Sequence, residues 1–156
     1  MTSEVIDRDH VPAGGLPRPA VRRAGRPADP IRREQSVDFS NLVERYFALW
    51  NEPDATRRAA AIGVLFVADA TYTDPLADVA GHSGLAALVT GVREKFPGLV
   101  FRPTGLVDGH HDIVRFGWQL VPAEGGEPVV VGFDVARVAA DGRIRAVYGF
   151  LDRVPG

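Results

Sequence analysis

The chain has 156 residues, of which 46% are hydrophobic and 24% are charged, as is typical of one globular domain with a single core. Its formal net charge of −2 gives no electrostatic reason to bind a polyanion, so we expect no nucleic-acid partner. Because the sequence contains no cysteine, disulfides, thiolate metal sites and cysteine nucleophiles are excluded.

The N-terminal segment, residues 1–36, mixes arginine with proline and shows no apolar periodicity. Such a segment buries too little apolar surface to fold, so we predict a disordered arm. It lacks the apolar stretch of a secretory signal, and no later run approaches the roughly 20 apolar residues of a membrane span. We therefore expect a cytoplasmic protein that does not associate with membranes.

A first amphipathic helix follows the arm. Its apolar residues recur at the spacing of one helix face and are Phe39, Leu42, Val43, Tyr46, Phe47 and Trp50. Either Asp38 or Ser40 can cap its start, and Pro53 ends it.

Two further helices and a short strand come next. A helix capped by Asp54 is predicted over residues 55–66, and residues 70–75 have the composition of a short strand. After a loop, a third helix is predicted with Ser83 as its cap. Its apolar face consists of Leu85, Leu88, Val89, Val92 and Phe96.

The rest of the chain alternates β-prone runs with turn signals. The runs cover residues 99–107, 112–121, 129–138 and 143–154, and the turns between them are short. This pattern predicts an antiparallel meander of four strands. The whole is then an α+β domain, in which three helices pack on a strongly curved, mainly antiparallel sheet with an apolar pocket inside.

Three polar residues are candidates to point into that pocket. Within residues 129–135, every residue other than Asp134 is valine, glycine or phenylalanine, and in such an apolar site the pKa of Asp134 would rise. Tyr46 lies on the apolar face of the first helix, and Asp74 follows the first strand. The alternatives are that Asp134 faces solvent, that Tyr46 is a core tyrosine, and that Asp74 only shapes the turn before Pro75.

The order of elements and the segments LVERYFALWNEPD, LFVADATYTDPLA, GHSGLAALV and VGFDVARVAADGRIRAVYGFLD resemble a known family. The likeness is to the NTF2-like superfamily, and within it to SnoaL-like proteins and ketosteroid isomerases. It covers residues 37–154 and implies a cone-shaped fold. The family's site pattern is matched by the pair Arg45-Tyr46, the pair Asp74-Pro75, and Asp134 in the penultimate strand.

The resemblance implies a cofactor-independent isomerase or cyclase that moves a proton next to a carbonyl of a hydrophobic, steroid-like or polyketide-like substrate. Asp74 would be the general base, while Tyr46 and a protonated Asp134 would donate hydrogen bonds to the enolate oxygen. The candidates for substrate contact are Trp50, Tyr72, His82, Phe101, Trp118 and Phe150. Strand alternation alone does not tell which aromatic residues face inward, and His82 can instead pack in the loop before the third helix.

Other functions stay open at this point. The same cone could serve as a non-catalytic binding or dimerisation module. An epoxide hydrolase would need an arginine between two aspartates, and one of these would fall near Gly149, so that Arg115 with Asp152 could imitate only part of the triad. We expect no metal site, since adjacent histidines at a strand end point to opposite faces. A homodimer through the outer sheet face is expected from the resemblance alone.

Overall fold

The computed structural model describes residues 38–155 of the protein, and the predicted N-terminal arm lies outside this range. The described residues form three helices and six strands. The helices are α1 (Phe39–Asn51), α2 (Ala55–Leu65) and α3 (Gly81–Lys95). The strands are β1 (Phe66–Thr73), β2 (Asp78–Ala80), β3 (Leu99–His110), β4 (Ile113–Pro122), β5 (Val130–Val138) and β6 (Ile144–Arg153).

The strands form one open, curved sheet in the order β2-β1-β6-β5-β4-β3. Strands β3 to β6 pair antiparallel with their neighbours along the chain, which is the predicted meander. Strand β1 pairs parallel with β6 and antiparallel with β2, so the sheet is mixed but mainly antiparallel. Register shifts interrupt β3 between Thr104 and Asp108 and the β5–β6 pair near Val138. Such bulges bend strands. The predicted α+β class is confirmed.

The helix starts agree with the sequence in two cases out of three. The Asp38 side chain accepts from the Asn41 N–H at 3.0 Å, so Asp38 rather than Ser40 caps α1. Asp54 caps α2 in the same way. The prediction that Ser83 caps α3 is wrong, because the helix already begins at Gly81. There the glycine takes a φ of 76°, which lets the chain turn directly out of β2.

The first strands also differ from expectation. Strand β1 begins four residues before the predicted start at residue 70, since the chain becomes extended immediately after α2. The buried side chains of Phe66 and Val67 bring this early part into the core. Strand β2 was expected to be loop, because three residues are too few to show a period.

The core lies between the helices and the sheet. Helix α1 buries the face that its periodicity predicted, including Tyr46, which is 2% exposed. The bulky side chains that are most completely buried are Phe66, Ile62, Leu85, Ile144, Val89, Val114 and Val147. Within residues 38–155, no helix is both long and apolar enough to cross a membrane.

Candidate active site

A cavity of about 430 Å³ lies between the helices and the sheet and is lined mainly by apolar side chains. Seven of the nine predicted site residues line it, namely Tyr46, Trp50, Tyr72, Asp74, Phe101, Trp118 and Asp134. Leu76 and Val154 also line it although they are 76% and 53% exposed, which places them at the mouth. The cavity is therefore an apolar chamber that contains two carboxyl groups.

Asp134 points into this chamber and is 3% exposed. Strand alternation explains its direction, because Gly132, Asp134 and Ala136 are buried while Phe133 and Val135 on the other face are only half-buried. The alternative that Asp134 faces solvent is wrong. A carboxyl group in this position must be satisfied by hydrogen bonds from other side chains.

Two donors satisfy it, one on each oxygen. The Tyr46 hydroxyl donates to Asp134 Oδ2 at 2.7 Å, across 88 positions of sequence. The Trp118 indole Nε1–H donates to Asp134 Oδ1 at 3.1 Å. Helix α1 and strands β4 and β5 thus meet at one carboxyl group. Among the described residues, every fully buried side-chain nitrogen and oxygen has a hydrogen-bond partner.

The protonation states of this group follow from burial. Burial raises the pKa of Asp134 from 3.8 to about 6, while the hydrogen bonds from Tyr46 and Trp118 oppose the rise and the charge of Asp74 adds to it. Burial, followed by the charge of Asp134, raises the pKa of Tyr46 well above 10.0. Tyr46 therefore keeps its proton, and Asp134 is the group that can change charge near neutral pH.

Asp74 is half-buried and sits in a different environment. Its Oδ1 accepts the backbone N–H groups of Leu76 and Ala77, each at 2.8 Å, and its Oδ2 accepts the Tyr72 hydroxyl at 2.9 Å. The predicted turn chemistry is therefore present, and the same residue also lines the cavity. Both oxygens of Asp74 thus accept hydrogen bonds, and the two backbone N–H groups fix the direction of its carboxyl group.

Gly149 separates the two carboxyl groups. It pairs with Asp134 across the β5–β6 ladder, and a methyl group at this position would lie 3.0 Å from Asp134 Oδ1 and 3.1 Å from the Asp74 Cβ. Any side chain here would push the two aspartates apart. Sequence reasoning did not find this role, although a glycine inside a strand indicates a close approach of this kind.

Two predicted substrate contacts lie outside the cavity. Phe150 is 49% exposed on the outer sheet face and stacks on Phe133 at a ring distance of 4.8 Å, because alternation along β6 turns Gly149 and Leu151 inward. His82 is half-buried near the start of α3, with Nε2 3.0 Å from the Phe66 carbonyl oxygen. The assignment of Phe150 and His82 to the cavity lining is corrected accordingly.

The partial triad of an epoxide hydrolase is not assembled. Arg115 pairs with Asp108 at 3.2 Å, where both side chains are about two-thirds exposed, and Asp152 is exposed as well. No arginine of the described residues lines the cavity. Nor do residues 38–155 contain a group of three or more histidine, aspartate or glutamate side chains that could hold a metal ion.

Comparisons with known proteins identify the family of this chain. The family model of the SnoaL-like domain matches residues 43–147. A proposed isomerase of the SnoaL-like family from Agrobacterium tumefaciens is 38% identical, with a TM-score of 0.70 over 74% of this chain and 97% of that one. A search of curated proteins finds no significant match.

Two more distant structures share the fold. A proposed polyketide cyclase from Sinorhizobium meliloti is 18% identical, with a TM-score of 0.56, and the match covers 70% of this chain and 93% of that one. An NTF2-like protein from Exiguobacterium is 22% identical, with a TM-score of 0.58, and the match covers 72% of this chain and 99% of that one. The predicted NTF2-like fold is confirmed.

Proposed function

Since the chain belongs to the SnoaL-like family, we propose that it is a cofactor-independent isomerase or cyclase acting on a hydrophobic carbonyl compound of steroid or polyketide type. The observation that supports this most strongly is that Tyr46, Asp74 and Asp134 line one apolar cavity. Two carboxyl groups in contrasting environments can take different roles, one as a base and the other as part of a hydrogen-bond donor.

In this proposal Asp74 is the base. Its carboxylate, oriented by the turn amides, removes a proton from the carbon next to the substrate carbonyl, and the electron pair moves onto the carbonyl oxygen to give an enolate. In an isomerase Asp74 returns the same proton to another carbon. In a cyclase the enolate carbon attacks a second carbonyl carbon of the same molecule, the π bond of that carbonyl opens as the carbon–carbon bond forms, and the resulting alkoxide takes the proton that Asp74 holds.

The Tyr46–Asp134 pair stabilises the enolate oxygen. When Asp134 is protonated, its O–H donates to the Tyr46 oxygen, and the Tyr46 O–H is free to donate to the substrate. An apolar substrate that fills the cavity removes water and raises the pKa of Asp134 further above 6, which favours this state. This refines the initial expectation that both residues donate directly to the enolate.

The test is turnover of a panel of enolisable substrates that includes a 3-oxo-Δ5-steroid, followed by the absorbance of the conjugated product. We expect Asp74→Asn to lower kcat/KM by about 10²–10⁴-fold, the usual contribution of a general base. Asp69→Asn is the matched control, since Asp69 lies exposed on β1, the strand that precedes Asp74. No turnover by the wild type across the panel, or an unimpaired Asp74→Asn variant, would contradict the proposal.

A second candidate is a non-catalytic binding module. It is favoured by one observation, namely that both carboxyl groups already have internal hydrogen-bond partners on each oxygen, so that an apolar ligand could fill the cavity without polar contacts. This candidate predicts that a phenol binds no more tightly than an apolar molecule of similar size. A strong preference for the phenol that is lost in Asp134→Leu would exclude it.

A further inference from the structure

Trp118 supplies the second hydrogen bond to Asp134, and its ring is closely packed. Its partner across the β4–β5 ladder is Gly132, and a methyl group at Gly132 would lie 2.6 Å from the Trp118 Cζ2. The indole therefore lies directly against the backbone of β5, two residues before Asp134. Phe101 packs edge-to-face on the same indole, with ring centroids 5.3 Å apart. These contacts fix the direction of the Nε1–H.

This fixed donor distinguishes the two oxygens of Asp134. An indole N–H donates and cannot accept, so a proton on Oδ1 would face another proton at the Trp118 Nε1, which is 3.1 Å away. Oδ2 faces the Tyr46 hydroxyl, whose oxygen accepts as readily as it donates. The favourable place for the proton of a neutral Asp134 is therefore Oδ2.

We propose that Trp118 is a positioning residue that keeps the proton of neutral Asp134 on Oδ2 and thereby turns the Tyr46 O–H toward the cavity. The proposal rests on the proposed function, in which Tyr46 donates to a substrate oxygen. Without the indole N–H, the proton can also sit on Oδ1, and Tyr46 then donates to Oδ2 instead of to the substrate.

The test compares two probes that differ in one group, 2-acetylnaphthalene and 2-isopropenylnaphthalene. The ketone oxygen accepts a hydrogen bond, and the methylene group that replaces it in the second probe cannot. The readout is the ratio of their affinities as a function of pH. In the wild type we expect a preference for the ketone below about pH 6 that declines above it, because the ionised Asp134 accepts the hydrogen bond of the Tyr46 hydroxyl.

The variant Trp118→Phe keeps an aromatic ring beside Phe101 but removes the N–H. We expect its preference for the ketone to fall several-fold and the midpoint of the pH dependence to move upward, because a hydrogen bond that lowers the pKa of Asp134 is lost. Phe101→Leu is the matched control. It removes an aromatic ring from the cavity but keeps the N–H, whose direction is still fixed by the packing of the indole against the backbone of β5, so both probes should weaken alike.

A second measurement needs no substitution at Trp118. The ¹H–¹⁵N signal of its indole N–H should move with pH with a midpoint near the pKa of Asp134, about 6, and should stop moving in Asp134→Asn.

The outcomes separate the two proposals. A wild type without any preference for the ketone contradicts the proposed function. A wild type with the preference, together with an unchanged ratio and midpoint in Trp118→Phe or an indole signal that does not titrate, overturns the role of Trp118 alone.

Discussion

Asp134→Asn tests the buried carboxyl group most directly. The amide nitrogen of asparagine can donate to the Tyr46 oxygen while the amide oxygen accepts from Trp118, so the side chain reproduces a neutral aspartate with its proton on Oδ2. We therefore expect the variant to fold and to lose the part of the pH-dependent stability that Asp134 causes.

The sign and size of the pH-dependent stability that Asp134 causes follow from its pKa values in the native state and in the unfolded chain. Burial raises the pKa of Asp134 from 3.8 to about 6 in the native state, so the native state binds this proton more tightly than the unfolded chain. The resulting stabilisation is complete below a pH of about 4 and is lost as the pH rises through about 6. At about 1.4 kcal/mol per pKa unit, it amounts to about 3 kcal/mol.

The assay is urea unfolding followed by tryptophan fluorescence at a series of pH values from about 4 to about 8. At each pH the unfolding free energy of the wild type is subtracted from that of Asp134→Asn, so that the carboxyl groups common to both proteins cancel. As the pH rises from about 4 to about 8, we expect the unfolding free energy of the variant to gain about 2–3 kcal/mol relative to that of the wild type. The matched control is Asp69→Asn, which removes an exposed carboxyl group and should not reproduce this gain.

A difference between wild type and Asp134→Asn that stays constant over the same range would refute the reasoning. Asp134 would then carry the same charge in the native state as in the unfolded chain. A change in its protonation near pH 6 could no longer be part of the proposed mechanism. If the variant instead lost stability relative to the wild type as the pH rises, the reasoning would also be refuted. That result would mean that the hydrogen bonds from Tyr46 and Trp118 outweigh burial and lower the pKa of Asp134.

Four further substitutions can be checked with the same protein. Gly149→Ala should destabilise the fold by about 1–3 kcal/mol in urea unfolding, since its methyl group would press on both aspartates. Gly63→Ala in α2 should instead stabilise the fold by about 0.5–1 kcal/mol, because a methyl group at this position has no neighbour within 4 Å. Tyr46→Phe should raise the pKa of Asp134 above 6, because it removes the larger of the two opposing hydrogen bonds, and a carboxyl ¹³C titration that shows no rise would contradict this. We also expect a homodimer through the outer sheet face, where Phe133 stacks on Phe150; light scattering should show Phe150→Asp as a monomer, and a monomeric wild type would exclude the interface.

The helices and the meander could be predicted because each has a period that its own residues reveal. The inward direction of Asp134 was harder, since apolar residues occupy both faces of β5 and alternation alone does not choose between them. On β6 the pattern was misleading. The inward position is Gly149 and the outward position is Phe150, so hydrophobicity indicates the wrong residue for the cavity.

The contrast between the two aspartates comes from where each stands along its strand. Asp74 follows the end of β1, where the chain turns and the amides of Leu76 and Ala77 are free to hold a carboxylate. Asp134 lies in the middle of β5, where the sheet ladder uses the neighbouring amides, so only side chains from elsewhere in the fold can offset its burial. Two side-chain hydrogen bonds do not fully compensate, and the pKa rises. The carboxyl group inside a strand thus becomes the one with the raised pKa, while the one at a strand end is held by backbone amides of the turn.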